Sequence, residues 1–244
     1  MAQAITIPRR FCGPPDSGNG GYVCGRLASF VEGPAIVRLR VPTPLDEELE
    51  VRPANGGVEM VRGDTVVAAA RAAQPLELEI PRAPSFGEAE IASRAYVGFR
   101  YHAYSTCFVC GPARAEGDGL RIFPGAHAGT NLVASPWIPD AALADASGNV
   151  RPEFRWAALD CPGAFTFHVP EGTGMLLGEL AVELKGQVAA GERCVVIGWE
   201  FARDGRRHYT GTALFSASGE CRGIGRATWF EVPLPQNATA DERR

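Results

Sequence analysis

The sequence predicts an α+β fold of two similar units in tandem, each a curved antiparallel sheet wrapped around one central helix. A helical segment followed by several strand-like segments occurs once in each half of the chain. Corresponding features of the two halves lie about 140 to 155 residues apart, a period that is too long for a solenoid and fits a duplicated domain.

The first unit opens with a helix predicted over residues 18–32, where apolar side chains follow helical spacing. Gly33-Pro34 ends this helix, because glycine suits the position after the last turn and proline cannot continue it. Strand-like segments follow at 35–41, 49–52, 58–62 and 65–72. Gly56 and Gly63 lie between the later segments, where tight hairpin turns favour glycine.

The second unit repeats this order. Pro152 suits the first turn of a helix, and Phe154, Ala157, Ala158 and Cys161 then fall on one helical face. The predicted strands cover 180–187, 194–202, 208–217 and 221–230. The dipeptides Asp204-Gly205 and Ser218-Gly219 predict two-residue hairpin turns between them.

The boundary between the units is predicted within a segment rich in proline and glycine, 75–119. We expect part of this segment to extend the first unit and the rest to cross to the second. The predicted domains are therefore a first unit with its linker at 1–105 and a second unit at 106–244. The polar tail from 233 onward is expected to fray.

Composition narrows the class of protein. The formal net charge is −4, whereas proteins that bind nucleic acid usually carry a basic excess, so nucleic acid is not an expected partner. No stretch reaches the roughly 18 consecutive apolar residues of a membrane-spanning helix. The cysteine count is 7, an odd number of mostly isolated residues that favours free thiols in a reducing cytoplasm.

Three short motifs carry a family resemblance. Residues 20–28 (GGYVCGRLA) and 156–160 (WAALD) resemble the two central helices of the acyl-CoA thioesterase II family. Residues 208–219 are similar to the central hairpin of many hotdog thioesterases. The resemblance implies a tandem, or double, hotdog fold that hydrolyses acyl-CoA or acyl-carrier thioesters. Coenzyme A would then be part of the substrate, and no separate cofactor is expected.

Asp160 is the candidate catalytic residue that the resemblance implies. Pro162 breaks the helix there, and we expect the carboxylate to lie beside free N–H groups at Gly163 and Ala164. An ionised aspartate orients a water molecule as a general base or attacks the thioester carbonyl directly. The alternative is that Asp160 only caps the turn that follows it.

The developing oxyanion of a thioester needs hydrogen-bond donors, which backbone N–H groups at a helix start supply. Asn19, Gly20 and Gly21 are the candidates at the first helix, together with Gly163 near Asp160. Glycine lets a ligand approach the backbone closely. The alternative is an ordinary helix entry capped by Ser17 or Asn19.

The sequence departs from the resembled family at two positions. That family pairs the aspartate with a glutamine on the last strand and a threonine before the second strand, whereas Ala227 and Leu177 stand near those places here. A non-catalytic protein that binds acyl thioesters or lipids is therefore the alternative function. A hydratase of this fold class would need a histidine five positions after the aspartate. That position is Phe165 here, so a hydratase is disfavoured.

The remaining candidates have simpler interpretations. Cys107 and Cys110 form one close pair without a second pair of ligands, so a structural turn is expected rather than a metal site. Cys161 is expected to be a buried core thiol. Arg9-Arg10 and Arg206-Arg207 either meet coenzyme A phosphates or lie on a solvated surface. A homodimer that covers exposed sheet edges is expected.

Overall fold

Eleven antiparallel strands form one continuous sheet in the computed structural model, which describes residues 3–170 and 172–234. The strands are β1 (Gln3–Thr6), β2 (Ala35–Leu39), β3 (Glu48–Ala54), β4 (Gly57–Arg62), β5 (Thr65–Ala72), β6 (Gly125–Ala126), β7 (Val133–Trp137), β8 (Thr173–Leu184), β9 (Cys194–Asp204), β10 (Arg207–Phe215) and β11 (Cys221–Pro233). The helices are α1 (Gly20–Ala28), α2 (Phe86–Ser93) and α3 (Pro152–Ala158), with 3₁₀ turns at Arg9–Phe11, Val97–Phe99, Ala141–Leu143 and Cys161–Phe165. None of the helices in the described part of the chain is long and apolar enough to cross a membrane.

Both halves of the sheet use the same strand order. The strand after each central helix pairs with the last strand of its half, which gives β2-β5-β4-β3 and β8-β11-β10-β9. The halves meet where β2 pairs with β8, with Val37 opposite Leu180. The sheet is therefore continuous across the two halves, and one hydrophobic core serves both of them.

The local predictions from sequence are largely confirmed. The four strand-like segments of each half become β2–β5 and β8–β11, and Gly56, Gly63, Gly205 and Gly219 have the positive φ angles that the predicted turns require. The predicted free thiols are also confirmed, since all seven cysteines are unpaired. The helix α1 ends at Ala28, earlier than predicted, and β8 begins at Thr173, earlier than predicted. The tail from 235 onward lies outside the described residues.

The segment between the halves contacts both of them. The Phe108 N–H donates to the Cys12 carbonyl at 2.8 Å and the Phe108 ring packs against Tyr22 of α1, whereas α2 packs against β6, β7 and β9 of the second half. Its Ala89 and Ala92 join a second hydrophobic cluster with residues such as Ile197 and Ala213. The apolar surface of β9 and β10 in that cluster needs a cover, and the segment supplies it. The division of the chain at residue 105 stays a prediction.

Two glycines allow α1 and α3 to pack with their backbones almost in contact. A Cβ atom added to Gly21 would lie 2.4 Å from Asp160 Cβ, and one added to Gly25 would lie 2.7 Å from Glu153 Cα. Real side-chain carbons do not approach that closely, so no other residue fits at either place without separating the helices. This close approach brings the start of α1 to the end of α3.

Gly25→Ala tests that packing. We expect the substitution to lower the free energy of unfolding by about 1–3 kcal/mol, because the added methyl group meets the α3 backbone. Gly87→Ala in the exposed first turn of α2 is the matched control, since its added methyl group meets no atom. The control should instead gain about 0.5–1 kcal/mol from better helix propensity. Denaturant unfolding of both variants measures the difference, and a neutral Gly25→Ala would contradict the packing.

Candidate active site

Asp160 lies between the end of α3 and the 3₁₀ turn Cys161–Phe165. Pro162 cannot continue an α-helix, so the chain changes direction at this point and carries the Asp160 side chain toward α1. The side chain is buried, with 1% of the residue exposed. A carboxyl group so far from solvent requires hydrogen-bond donors from the protein.

The start of α1 supplies these donors. Asp160 Oδ2 accepts hydrogen bonds from the Gly21 backbone N–H at 2.8 Å and from Asn19 Nδ2 at 3.1 Å. Asn19 Oδ1 in turn accepts from the Tyr22 backbone N–H at 2.9 Å, so Asn19 also caps α1. Asp160 Oδ1 is buried and has no hydrogen-bond partner among the described residues. One carboxylate oxygen is therefore held and the other is uncommitted.

The expectation that Asp160 turns toward Gly163 and Ala164 is wrong. The Asp160 side chain makes no capping hydrogen bond to the turn that follows it. The Gly163 N–H instead donates to the Asp160 backbone carbonyl at 3.1 Å. The positive end of a second helix and an amide side chain lie within reach, and they satisfy the carboxylate better than the short turn does.

Burial raises the pKa of Asp160 to about 7, because loss of solvent disfavours its charged form more than the hydrogen bonds from Gly21 and Asn19 favour it. A charge on the nearby Cys107 thiol adds to this increase. A carboxyl group with a pKa in this range can both take up and release a proton near neutrality, as a general base must do.

The four candidate oxyanion residues lie in different environments. Asn19 and Gly21 contact Asp160, and the Gly21 N–H is already committed to its carboxylate. Gly20 packs against Leu177, since an added Cβ would lie 2.7 Å from Leu177 Cδ2. An added Cβ on Gly163 would lie 2.4 Å from Thr210 Oγ1 and 2.9 Å from Trp229 Nε1.

Thr210 and Trp229 are two further residues of the site, and no sequence motif indicated them. Thr210 Oγ1 and Trp229 Nε1 are buried and have no hydrogen-bond partner within the described part of the chain. Both atoms face the space beside Gly163, in the turn that begins after Asp160. The sequence predicted only that both positions lie in strands, 208–217 and 221–230. It gave no sign that two polar atoms would meet there.

Three cysteines lie close to the Asp160 carboxylate. Cys107 and Cys110 come from the loop after the Val97–Phe99 turn, and Cys161 follows Asp160 directly. All three are buried, and their sulfur atoms lie within 4.8 Å of one another. Asn19 Nδ2 lies 3.7 Å from Cys107 Sγ and 3.8 Å from Cys161 Sγ. Cys107 and Cys110, which the sequence predicted to form only a structural turn, therefore form a cluster with a third sulfur atom, that of Cys161.

Three further polar side chains of the second half are committed to contacts with other residues. His208 is buried with its two ring nitrogens each 2.7 Å from a carboxylate, those of Glu200 and Glu231. Glu179 pairs with Arg38 at 2.8 Å, and Glu183 accepts the Leu76 N–H at 2.9 Å. These contacts account for the positions of both glutamates of β8.

Arginines line a surface cavity of about 380 Å³ near the start of the chain. Its walls include Arg9, Arg10 and Arg114, with Asp118 as the one carboxylate among them. Cys12 and Thr106 also line the cavity. Thr106 precedes Cys107, and Cys12 Sγ donates to the Thr106 carbonyl at 3.4 Å.

Comparison with solved structures identifies the architecture. The tesB protein of Mycobacterium avium subs paratuberculosis matches with a TM-score of 0.56 at 13% identity, over 88% of each chain. A conserved protein of unknown function with a hot dog fold from Alicyclobacillus acidocaldarius matches with a TM-score of 0.56 at 9% identity, over 95% of this chain and 93% of that one.

The chain has the hotdog fold. No family model and no curated protein matches the sequence. The two structural matches extend over both halves of the chain, so the hotdog fold accounts for nearly the whole protein and not for a single segment.

Asn19 is the residue that joins the capping of α1 to the Asp160 carboxylate. We expect Asn19→Ala to lower the free energy of unfolding by about 2–4 kcal/mol, because a cap and a buried hydrogen bond to a carboxyl group are both lost. Asn19→Ser keeps a capping hydroxyl and loses only the amide donor, so it should recover about 1 kcal/mol. Denaturant unfolding measures both variants. Equal stability of the two would show that the cap contributes nothing, and losses below about 0.5 kcal/mol would remove the proposed support of Asp160.

Proposed function

We propose that the protein is a hydrolase of acyl-CoA thioesters built from two hotdog units in tandem. The observation that carries this proposal is the buried Asp160 carboxyl group, which Asn19 and Gly21 hold through one oxygen while the other oxygen has no partner among the described residues. The repeated helix and strand order of the two halves supports the tandem arrangement. The resemblance of residues 20–28, 156–160 and 208–219 to hotdog thioesterases supports a thioesterase activity, and the tesB protein shares the fold that this resemblance implies.

In this mechanism Asp160 Oδ1 accepts a proton from a water molecule as the water oxygen attacks the thioester carbonyl. The carbon–sulfur bond breaks as the tetrahedral intermediate collapses, and the proton held by Asp160 passes to the departing thiolate. Asn19 and Gly21 keep the carboxylate in place through its other oxygen. Trp229 Nε1–H and the Thr210 hydroxyl, which are buried and unpaired in the described chain, are the donors that we assign to the carbonyl oxygen.

Asp160→Asn tests the proposed general base. We expect wild-type protein to release thiol from at least one member of a panel of short- to long-chain acyl-CoAs. The variant should be slower by at least about 10²-fold, because an amide cannot accept the proton. Asp64→Asn is the matched control, an exposed aspartate in the β4–β5 turn whose substitution should leave the rate unchanged.

Three other results are informative in the same assay. Hydrolysis that survives Asp160→Asn would keep the enzyme and remove this mechanism. A thermal unfolding curve of each variant establishes that a lost rate does not come from lost folding. Absence of turnover by the wild-type protein across the panel would contradict the hydrolase proposal.

The arginine-lined cavity supports coenzyme A as the carrier of the acyl group. Arg10 and Arg114 share Asp118, and Arg9 pairs with Asp46, which does not line the cavity, so the lining carries more positive than negative charge. Guanidinium groups bind phosphates bidentately. Cys12 and Thr106 link this cavity to the segment that holds Cys107. The nucleotide end of coenzyme A would lie in the cavity while the thioester points toward Asp160.

Arg10→Ala tests this placement. We expect the KM for acyl-CoA to rise by about three- to tenfold, because a phosphate contact is lost at a partly exposed site. The KM for an acyl-pantetheine, which lacks the nucleotide, should stay unchanged. Arg52→Ala is the control, since the Arg52 side chain is 43% exposed, as is that of Arg10, and pairs with Glu59 of the neighbouring strand β4. Equal effects of Arg10→Ala on both substrates would contradict the placement.

The second candidate function is non-catalytic binding of acyl thioesters or lipids. Two observations favour it: Asp160 is 1% exposed, and Leu177 and Ala227 supply no polar side chain near the site. Thermal stabilisation of wild-type protein by acyl-CoA without any thiol release would support this function. A cytoplasmic location and a homodimer remain predictions.

A further inference from the structure

The cluster of Cys107, Cys110 and Cys161 has a geometry that the proposed hydrolysis does not use. Cys107 and Cys110 lie in one loop with two residues between them, and Cys161 comes from the turn after α3. Cys107 Sγ lies 3.7 Å from Cys161 Sγ. All three sulfur atoms lie within 4.8 Å of one another in the interior of the protein.

These distances match a tetrahedral metal site. Zinc binds cysteine sulfur at about 2.3 Å, which places two sulfur ligands of a tetrahedron about 3.8 Å apart. The Cys107–Cys161 separation of 3.7 Å agrees with that edge. The spacing of Cys107 and Cys110 is also the common spacing of paired zinc ligands. A disulfide would need its sulfur atoms at about 2.05 Å instead.

The groups around the sulfur atoms are donors to thiolates. Tyr104 N–H donates to His102 Nδ1 at 2.9 Å, so the ring proton of a neutral imidazole is on Nε2. His102 Nε2 lies 3.3 Å from Cys110 Sγ and donates to that sulfur. Asn19 Nδ2 lies within 3.8 Å of both Cys107 Sγ and Cys161 Sγ. Hydrogen bonds of this kind orient and stabilise metal-bound thiolates.

The cluster would bind its metal as thiolates beside a carboxyl group. Asp160 Oδ2 lies 3.9 Å from Cys161 Sγ. Three buried thiolates this close to a carboxyl group are stable only with a cation among them, and a bound divalent cation supplies that compensation.

We propose that Cys107, Cys110 and Cys161 bind one thiophilic divalent cation, Zn²⁺, with a water oxygen in the fourth position. His102 supports the site through Cys110 and is not a ligand, because its Nε2 carries the proton. On binding, each thiol loses its proton to solvent and the sulfur lone pair forms the bond to zinc. The site stands independently of hydrolysis by Asp160, so either proposal can fail while the other holds.

Metal content of the purified full-length protein tests the site. Protein prepared under reducing conditions without chelators should contain about one zinc per chain by inductively coupled plasma mass spectrometry. Cys107→Ser and Cys161→Ser should each reduce that content at least about tenfold, because one of three ligands is lost. Cys194→Ser, in a buried cysteine of β9 outside the cluster, is the matched control and should keep its zinc.

A cobalt titration keeps the test valid if the serine variants do not fold. Wild-type protein stripped of metal by a chelator and treated with Co²⁺ should give thiolate-to-cobalt charge-transfer bands and intense visible bands, saturating at one equivalent. Zinc added afterwards should remove these bands. Absence of both zinc and the cobalt spectrum in the reduced wild-type protein would overturn the proposal. Zinc that survives Cys107→Ser and Cys161→Ser in folded protein would also overturn it.

Discussion

The close packing of α1 against α3 is the constraint on which the site depends. Gly21 and Gly25 remove the side chains that would hold the two helices apart, so the first residues of α1 reach the end of α3. The Gly21 N–H can then donate to Asp160 Oδ2 at 2.8 Å. Any larger residue at position 21 would push the two groups apart. The same approach places Asn19 between the carboxyl group and the sulfur atoms. The glycine-rich sequence of α1 therefore determines where the chemistry of the second half is located.

Burial raises the pKa of Asp160, and hydrogen bonds from the start of α1 limit this increase. A carboxyl group with 1% exposure and no donors would be strongly disfavoured, and its pKa would rise far above neutrality. Two donors from α1 offset much of the desolvation and leave the pKa at about 7. A single oxygen receives both of them. The uncommitted oxygen is consequently the one able to accept a proton from an entering water molecule.

The sequence alone predicted the local structure well, because turns and amphipathic helices depend on neighbouring residues. Gly56, Gly205 and the proline at the start of α3 each specify a turn or a helix end within a few positions. The site was predicted only in part. Asp160 was chosen through a resemblance, and its contact with Asn19 spans both halves of the chain. The third cysteine, the meeting of Thr210 and Trp229 beside Gly163, and the packing of α2 on the second half all arise from tertiary contacts that have no local pattern.

The sulfur cluster and the carboxyl group share a wall, so they constrain one another physically. Asn19 donates to Asp160 and lies beside Cys107 and Cys161, which means that a charge on the cluster acts directly on the acidity of Asp160. A thiolate at Cys107 raises the pKa of Asp160. One Zn²⁺ bound by three thiolates carries a net charge of −1, the same charge as a single thiolate, so metal on the cluster would leave the sign of the field at Asp160 unchanged. The metal would instead act on Asp160 through Asn19, because this amide is held between the sulfur atoms and the carboxyl group.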